Sequence, residues 1–442
     1  MPVNWRLAAP EIAYVLEDGG ARFLMADAEF ADAIAALPSP PARIIGSITD
    51  APFGCLIAER WSAQFADRDT EREPAMGETA LQLYSSGTTG HPKGVELSYA
   101  NLAADHRVLP DALGYYGPPS IMLNALPAFH IAGIGVAIAT GVFGAKLVLC
   151  PDFVPARVLD MMVEQNITHS FFVPAMIQFL LDVPDVGSRD FSRLQGISYG
   201  ASPISERVLI EGMKTFGCGF TQVYGLTETT GAVTQLFPQD HQTEGGRAHL
   251  LRSAGSVMGG VELRIVDAET GDPLPDGEVG EVWIRTEQNM LGYWKRPEAT
   301  AQVLIPTDDG APWFRSGDAG YLRDGFLFIH DRIKDMIISG GENIYPAEVE
   351  NLLMRHPSVA DGAVFGVPDD RWGEAVHAAV VPRDPATFDG TAVIAWMREQ
   401  MAHFKCPKAI DVVESIPRNP SGKILKRILR EPYWQGRQRQ VS

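Results

Sequence analysis

The sequence predicts an α/β fold: a large layered α/β N-terminal domain with a β-rich section, then a small α+β C-terminal domain. Three observations carry this. Apolar runs alternate with helical patterns across residues 80–225, short glycine-punctuated β runs fill 255–330, and a smaller mixed unit begins at Ile333. In the first region, strand-like segments lie at 121–125, 146–149, 169–173, 194–199 and 218–224. Between them Pro155 opens a helix over 155–165, Pro174 one over 174–182, and Ser202-Pro203 one over 203–215. Proline suits a first helical turn, where its missing N–H would have no partner anyway. The apolar run 131–145 reads as a buried helix leading into the strand at 146–149. It is shorter than the roughly 20 residues a membrane span needs. The β-rich section contributes runs at 261–266, 279–285 and 326–330. Beyond Ile333 the pattern gives a strand, a helix at 346–355, strands near 360–366 and 375–382, and a helix at 391–402. The junction falls at 331–335, so the domains are expected at 1–333 and 334–442.

Composition bounds the function. The 442 residues carry a net charge of -18, which gives a nucleic-acid role no supporting basic field. An acidic protein that binds an anion must do so through local cations and backbone donors. The C-terminal stretch supplies such cations at Lys405, Lys408, Arg418, Lys423, Lys426, Arg427 and Arg430. Cys55, Cys150, Cys218 and Cys406 share no C-x-x-C spacing, so neither a zinc site nor a redox pair is expected, and scattered thiols suit a cytoplasmic protein. The first residues, Met-Pro-Val-Asn-Trp-Arg, lack the apolar core of a signal peptide.

Residues 84–94 read Tyr-Ser-Ser-Gly-Thr-Thr-Gly-His-Pro-Lys-Gly. Glycine lets successive N–H groups turn toward one point, and such a concave array binds anions. Ser85, Ser86, Thr88 and Thr89 add hydroxyl donors, Gly87 and Gly90 the freedom to turn, and Lys93 a positive charge. This is the chemistry of a loop that grips a polyphosphate, although glycine and serine content alone reads equally as a surface loop. The spacing is not the GxxxxGK[ST] of a P-loop.

Five further motifs follow in order: Tyr224-Gly225-Leu226-Thr227-Glu228, residues 280–285 (Gly-Glu-Val-Trp-Ile-Arg), residues 314–318 (Phe-Arg-Ser-Gly-Asp), Asp331-Arg332-Ile333-Lys334-Asp335 running into Gly340-Gly341-Glu342, and residues 417–423 (Pro-Arg-Asn-Pro-Ser-Gly-Lys). With the glycine-rich loop they resemble, over almost the whole chain, the acyl-adenylate-forming (AMP-binding) superfamily, in its acyl-CoA synthetase or fatty-acid–CoA ligase branch. The resemblance implies ATP, Mg²⁺ and the cosubstrate CoA, a small-molecule carboxylic acid as the other substrate, and a C-terminal domain that is mobile. A homodimer is left open.

The resemblance also assigns roles. Ser85, Ser86, Gly87, Thr88, Thr89, Gly90 and Lys93 would hold the phosphates. Glu228, with Thr88, would ligate Mg²⁺, a hard cation that prefers oxygen and keeps several waters. Tyr224, with Gly225 and Thr227 in the same motif, would lie against adenine. Gly200, Ala201 and Ser202 would let a flat base approach the backbone, and Ser202 reads equally as the cap of the next helix. Asp318 would accept the ribose hydroxyls, and Arg332 would add a ribose or phosphate contact. Lys423 would reach the carboxylate and α-phosphate; a point charge on a long stem suits that task. His130 would lie by the acyl carboxylate and the pantetheine passage. Lys334 would be the hinge that swings Lys423 out and Gly340 and Gly341 in toward the thiol passage. Alone, each residue reads as ordinary: a solvated glutamate, a core aromatic, a turn aspartate, a surface lysine.

Amino-acid-activating members of the family place an aspartate near 129–130, and this chain has none there. The expected acyl walls are Ile131, Ala132, Gly133, Ser198, Tyr199, Gly225, Thr230 and Gly231. They are apolar or small, and burial of about 0.8 kcal/mol per methylene would favour a hydrophobic, fatty acid. The glycine-rich loop starts near residue 85, earlier than usual in the family, so a shortened N-terminal region leaving apolar surface uncovered is expected. Two other functions stay open: loading of a carrier-protein thiol, and a catalytically impaired relative.

Overall fold

The computed structural model describes residues 1–39, 41, 43–46, 56–65, 72–85, 92–113, 117–308, 310–418 and 423–435. Its centre is a 12-stranded sheet in two halves. In one half, Gly219–Leu226, Gly196–Gly200, His169–Phe172, Ile121–Asn124 and Lys146–Leu149 run parallel, in that order across the sheet. Every residue of His169–Phe172 is buried, as a strand covered on both faces requires. Helices with one apolar stripe cover these strands. Pro155–Glu164 turns Val158, Leu159 and Met162 inward, and Pro174–Leu181 packs beside it. The parallel half is therefore the expected layered α/β unit.

The β-rich section is the other half of the same sheet. Gly231–Leu236 pairs antiparallel with Gly219–Leu226 and continues through Gly255–Val257, Phe326–Arg332, Trp313–Arg323, Gly280–Thr286 and Val261–Val266. One apolar core spans both halves, from Leu123 and Tyr199 to Val282 and Leu327. Thr79–Ser85, Lys93–Ser98 and Gly292–Tyr293 form a separate three-stranded sheet.

Past Arg332 a short turn, Ile333–Asp335, leads into a five-stranded sheet with its own core, including Val349, Val364, Val376 and Val393. Its main feature is the hairpin Val359–Asp369 with Gly373–Pro382, flanked by the helices Pro346–Leu353 and Gly390–Arg398 and closed by Lys426–Trp434.

Three expectations need correction. The helix expected from 203 begins at Glu206, and its cap is Ser205, not Ser202: the Ser205 hydroxyl accepts from the Val208 N–H at 3.4 Å. The helix in the apolar run is Ile131–Val142, and it is only half-buried: Val136 and Ala139 face the core while Val142 is 60% exposed. Tyr199 cannot wall a pocket. It is fully buried, with its hydroxyl 3.0 Å from His241 Nε2. Apolar side chains are uncovered on the N-terminal segment, where Phe23 and Met25 are 44% and 69% exposed. Among the described residues no helix is long and apolar enough to cross a membrane.

Candidate active site

The carboxyl ends of the parallel strands Gly196–Gly200 and Gly219–Leu226 lie side by side, with Gly200 opposite Val223. In open α/β sheets ligands bind outside such ends. Both chain exits are sterically special. A Cβ on Gly200 would sit 2.3 Å from the Val223 carbonyl oxygen, and one on Gly225 would sit 1.7 Å from that of Gly231. Ala201 follows with φ 67, a left-handed conformation that costs a residue bearing a Cβ. Strain of this kind, held between a strand end and a turn, gathers at ligand sites.

Glu228 lies in the turn Thr227–Thr229, which is pinned throughout. The Leu226 N–H donates to Thr229 Oγ1 at 2.9 Å, Thr230 Oγ1 donates to the Gln288 carbonyl at 2.5 Å, and the Met290 N–H donates to the Glu228 carbonyl at 2.8 Å. That bond to Gln288 and near-complete burial remove Thr230 from the expected acyl walls. Beneath the turn, Gln288 Nε2 donates to Asp105 Oδ1 at 3.0 Å and to the Ala232 carbonyl at 3.1 Å. Burial pushes the Asp105 carboxyl up to about 8, with the Gln288 bond opposing.

The glycine-rich loop approaches Glu228 through its second strand. Ser86, Gly87, Thr88, Thr89 and Gly90 lie outside the described residues; Ser85 ends the first strand opposite Lys93. Lys93 Nζ stands 4.9 Å from the centre of the Tyr293 ring, and the Tyr293 hydroxyl donates to Glu228 Oε1 at 3.0 Å. Burial, then the nearby Glu228 charge, raises the Tyr293 phenol. The helix Ala9–Asp18 braces this sheet from outside: the Tyr84 hydroxyl donates to Asp18 Oδ2 at 2.7 Å, and Arg296 pairs with Asp18 at 2.7 Å.

A second cluster surrounds Asp318. Its carboxylate accepts from the Tyr224 hydroxyl at 2.7 Å and pairs with Arg332 Nε at 2.7 Å, and Arg332 Nη1 donates to the Ser316 carbonyl at 3.1 Å. Asp318 and Arg332 are partners in the register of adjacent strands, which is why residues 14 apart meet. Lys423, from the far end of the chain, feels the charges of this cluster. The Arg332 guanidinium, then burial and the nearby Lys334, pull its ammonium down to about 8, against Asp318 and Asp335. Burial, with Arg332 and Arg430 beside it, also lowers Lys334.

His130 starts the helix Ile131–Val142. Its buried Nε2 has no hydrogen-bond partner among the described residues. Burial, then Arg6, lowers the imidazole to about 4, so it is neutral at pH 7. Gly340 and Gly341, with φ 63 and 85, occupy the turn between Ile337–Ser339 and Glu342–Ile344. Gly340 lies under Trp372, outside the charged contacts that join Asp318, Arg332 and Lys423. Among the described residues no group of three or more His, Cys, Asp or Glu could hold a metal. A single carboxylate such as Glu228 would suit a cation that takes its other ligands from phosphate and water.

Sequence reasoning missed Tyr293, Asp105 and Gln288. Tyr293 sits on a two-residue strand without periodicity. Asp105 shares the helix Tyr99–Leu113 with another acid, Asp111, and only the fold shows that it is buried.

Residues 1–294 match the AMP-binding enzyme family, and residues 348–423 the AMP-binding enzyme C-terminal domain. A fatty acid–[acyl-carrier-protein] ligase of Streptomyces coeruleorubidus, ScoC, is 40% identical over 100% of this chain and 83% of its own length. A feruloyl-CoA synthase from an Amycolatopsis species is 36% identical over 98% and 83%. The crystal structure of ATP-bound MatB from Rhodopseudomonas palustris superposes with a TM-score of 0.86 at 31% identity, covering 98% of this chain and 83% of that one. The chain belongs to the AMP-binding enzyme family, in its acyl-CoA synthetase branch.

Proposed function

We propose that the protein is an AMP-forming acid–thiol ligase that activates a hydrophobic, fatty carboxylic acid. The acid and ATP give acyl-AMP and pyrophosphate; CoA then gives the thioester and AMP. The observation that carries this reading is the electrostatic coupling of buried Lys423 to the Asp318–Arg332 pair, since it sets a cation from one end of the chain near a carboxylate on the large sheet.

In the first step a carboxylate oxygen attacks the α-phosphorus and the bond to pyrophosphate breaks. Two anions must meet, so the barrier falls mainly through positioning and charge neutralisation. Lys423 supplies charge at the carboxylate and α-phosphate. Ser85, Ser86, Gly87, Thr88, Thr89, Gly90 and Lys93 hold the outer phosphates. Asp318 retains acceptor capacity for ribose hydroxyls beyond its bonds to Tyr224 and Arg332. Gly200, Ala201 and Ser202 give adenine a backbone edge. Glu228, with Thr88, would hold Mg²⁺, which supplies further neutralisation of phosphate charge.

The second step needs Lys423 withdrawn. The units 1–333 and 334–442 would turn about Lys334 and carry Gly340 and Gly341 toward the thiol, with neutral His130 beside the reacting carbonyl. The fatty assignment rests on the apolar Ile131 and Ala132 and on the sequence 129–133, which holds no acid to pair with an amino group. A carrier-protein thiol is the second reading of the acceptor, favoured by the 40% identity to ScoC.

The test is ATP–pyrophosphate exchange with a panel of fatty, aryl, amino and dicarboxylic acids, followed by CoA or a carrier protein. Exchange with fatty acids and thioester with CoA is expected. Exchange with polar acids alone overturns the substrate reading, and thioester on the carrier protein alone overturns the acceptor.

A further inference from the structure

Asp331 is the penultimate residue of the strand Phe326–Arg332 of the large sheet, three residues before Lys334. Its carboxylate faces the small unit. Oδ2 accepts from the Ala347 N–H at 3.2 Å, in the first turn of the helix Pro346–Leu353, and from Lys426 Nζ at 3.0 Å. Oδ1 accepts from the Arg332 N–H at 2.7 Å. Lys426 is 9% exposed and also pairs with Glu350 Oε1 at 3.1 Å, while Glu350 Oε1 accepts from the Val364 N–H at 2.8 Å. Burial disfavours the Lys426 ammonium, yet Asp331 and then Glu350 outweigh it and hold it well above its ordinary range. A buried ammonium with two carboxylates is compensated only while this geometry lasts.

Lys426 follows Lys423 by three residues and begins the helix Lys426–Trp434, so whatever fixes Lys426 also restrains Lys423. One turn along that helix, Arg430 pairs with Asp335 at 3.2 Å. The two acids flank Lys334. If Lys334 is the hinge, Asp335 travels with the helix and its pair survives rotation. Asp331 stays with the large sheet, so its bonds to Lys426 and to Ala347 must break. Glu350 moves with Lys426 and keeps the ammonium paired meanwhile.

We propose that Asp331 is a positioning residue for adenylation: its carboxylate clasps Lys426 and the start of the helix Pro346–Leu353 across the junction, and so holds Lys423 beside Asp318. This inference rests on the functional reading above, and its consequence is a split between half-reactions. Opening the clasp weakens the step that needs Lys423 in place and spares the step that needs it withdrawn.

The experiment compares Asp331→Asn with Glu350→Gln, a change on the same ammonium but inside the small unit. For each, pyrophosphate exchange and thioester formation from supplied acyl-AMP are measured, together with limited trypsin cleavage after Arg332 and Lys334. Asp331→Asn is expected to slow exchange about tenfold, the equivalent of about 1.4 kcal/mol. It should leave thioester formation within about twofold and make cleavage at the junction faster. Glu350→Gln should keep the wild-type ratio of the two half-reactions. Equal loss of both half-reactions in Asp331→Asn, or junction cleavage at the wild-type rate, overturns the proposal. If the wild type itself exchanges pyrophosphate with no acid, the functional reading fails, and the cleavage rates still decide the clasp.

Discussion

Lys423 is set by its neighbours more than by its own chemistry. Arg332 and then burial bring its ammonium down to about 8, so its charge is lost within the range at which an enzyme can be assayed. The direction matters. Below pH 8 the amine is charged in both folded and unfolded states; above it the folded state gives up the proton first. Adenylation kcat/KM, which reports the free enzyme, should fall with a one-proton limb near pH 8. Lys423→Arg should retain some activity and lose that limb, because a guanidinium does not titrate there; an unchanged limb would assign it to another group. Asp105 runs the other way. Its carboxyl stays protonated to about 8 when folded and ionises near 4 when unfolded. Stability should therefore fall by about 1.4 kcal/mol per pH unit between those values. Asp105→Asn should remove this slope, so thermal unfolding of the variant and wild type should diverge from pH 5 to pH 8 in favour of the variant. Parallel curves would mean that Asp105 is ionised in the folded protein.

At the scale of elements, the site is built where strands end. Gly196–Gly200 and Gly219–Leu226 stop side by side, and Gly200 and Gly225 are there because no Cβ fits against Val223 and Gly231. Trp313–Arg323 and Phe326–Arg332 add Asp318 and Arg332 by register. The junction element is the short turn Ile333–Asp335, and it carries a prediction of its own. Lys334→Pro restricts backbone rotation at that residue. Thioester formation from supplied acyl-AMP should fall at least tenfold more than pyrophosphate exchange, while equal losses would remove Lys334 from the hinge. The parallel strands and their helices were legible in the sequence because strands covered on both faces are uninterrupted apolar runs and amphipathic helices have a fixed period. The helix start at Glu206 was not, because Ser202-Pro203-Ile204-Ser205 offers two capping serines and only packing chooses between them. Tyr199 looked like a pocket wall because a strand end reads alike whether it faces a cleft or the core.

For the whole molecule, the two largest apolar cores of the described residues are one spanning the 12-stranded sheet and one in the small unit, with charged side chains between them. Lys423, Arg332, Asp318, Lys426 and Asp331 all lie at that junction. Individually they were visible as motif residues or as a C-terminal run of cations. Their convergence was not, because nothing in sequence order ties Asp331 to Lys426, 95 residues away. The N-terminal helix Ala9–Asp18 likewise joins the glycine-rich hairpin through Tyr84 and the segment after Gly292–Tyr293 through Arg296, links between distant segments that only the fold makes. The proposed mechanism therefore depends on one division of labour, in which the amine from the chain's end serves the first half-reaction and not the second. The direct measurement is the pair of half-reactions in Lys423→Ala. Pyrophosphate exchange should drop by about 10²–10³-fold, the usual effect of removing one charge-stabilising donor, while CoA still captures supplied acyl-AMP at close to the wild-type rate. Exchange at the wild-type rate in a folded Lys423→Ala sample would contradict the account.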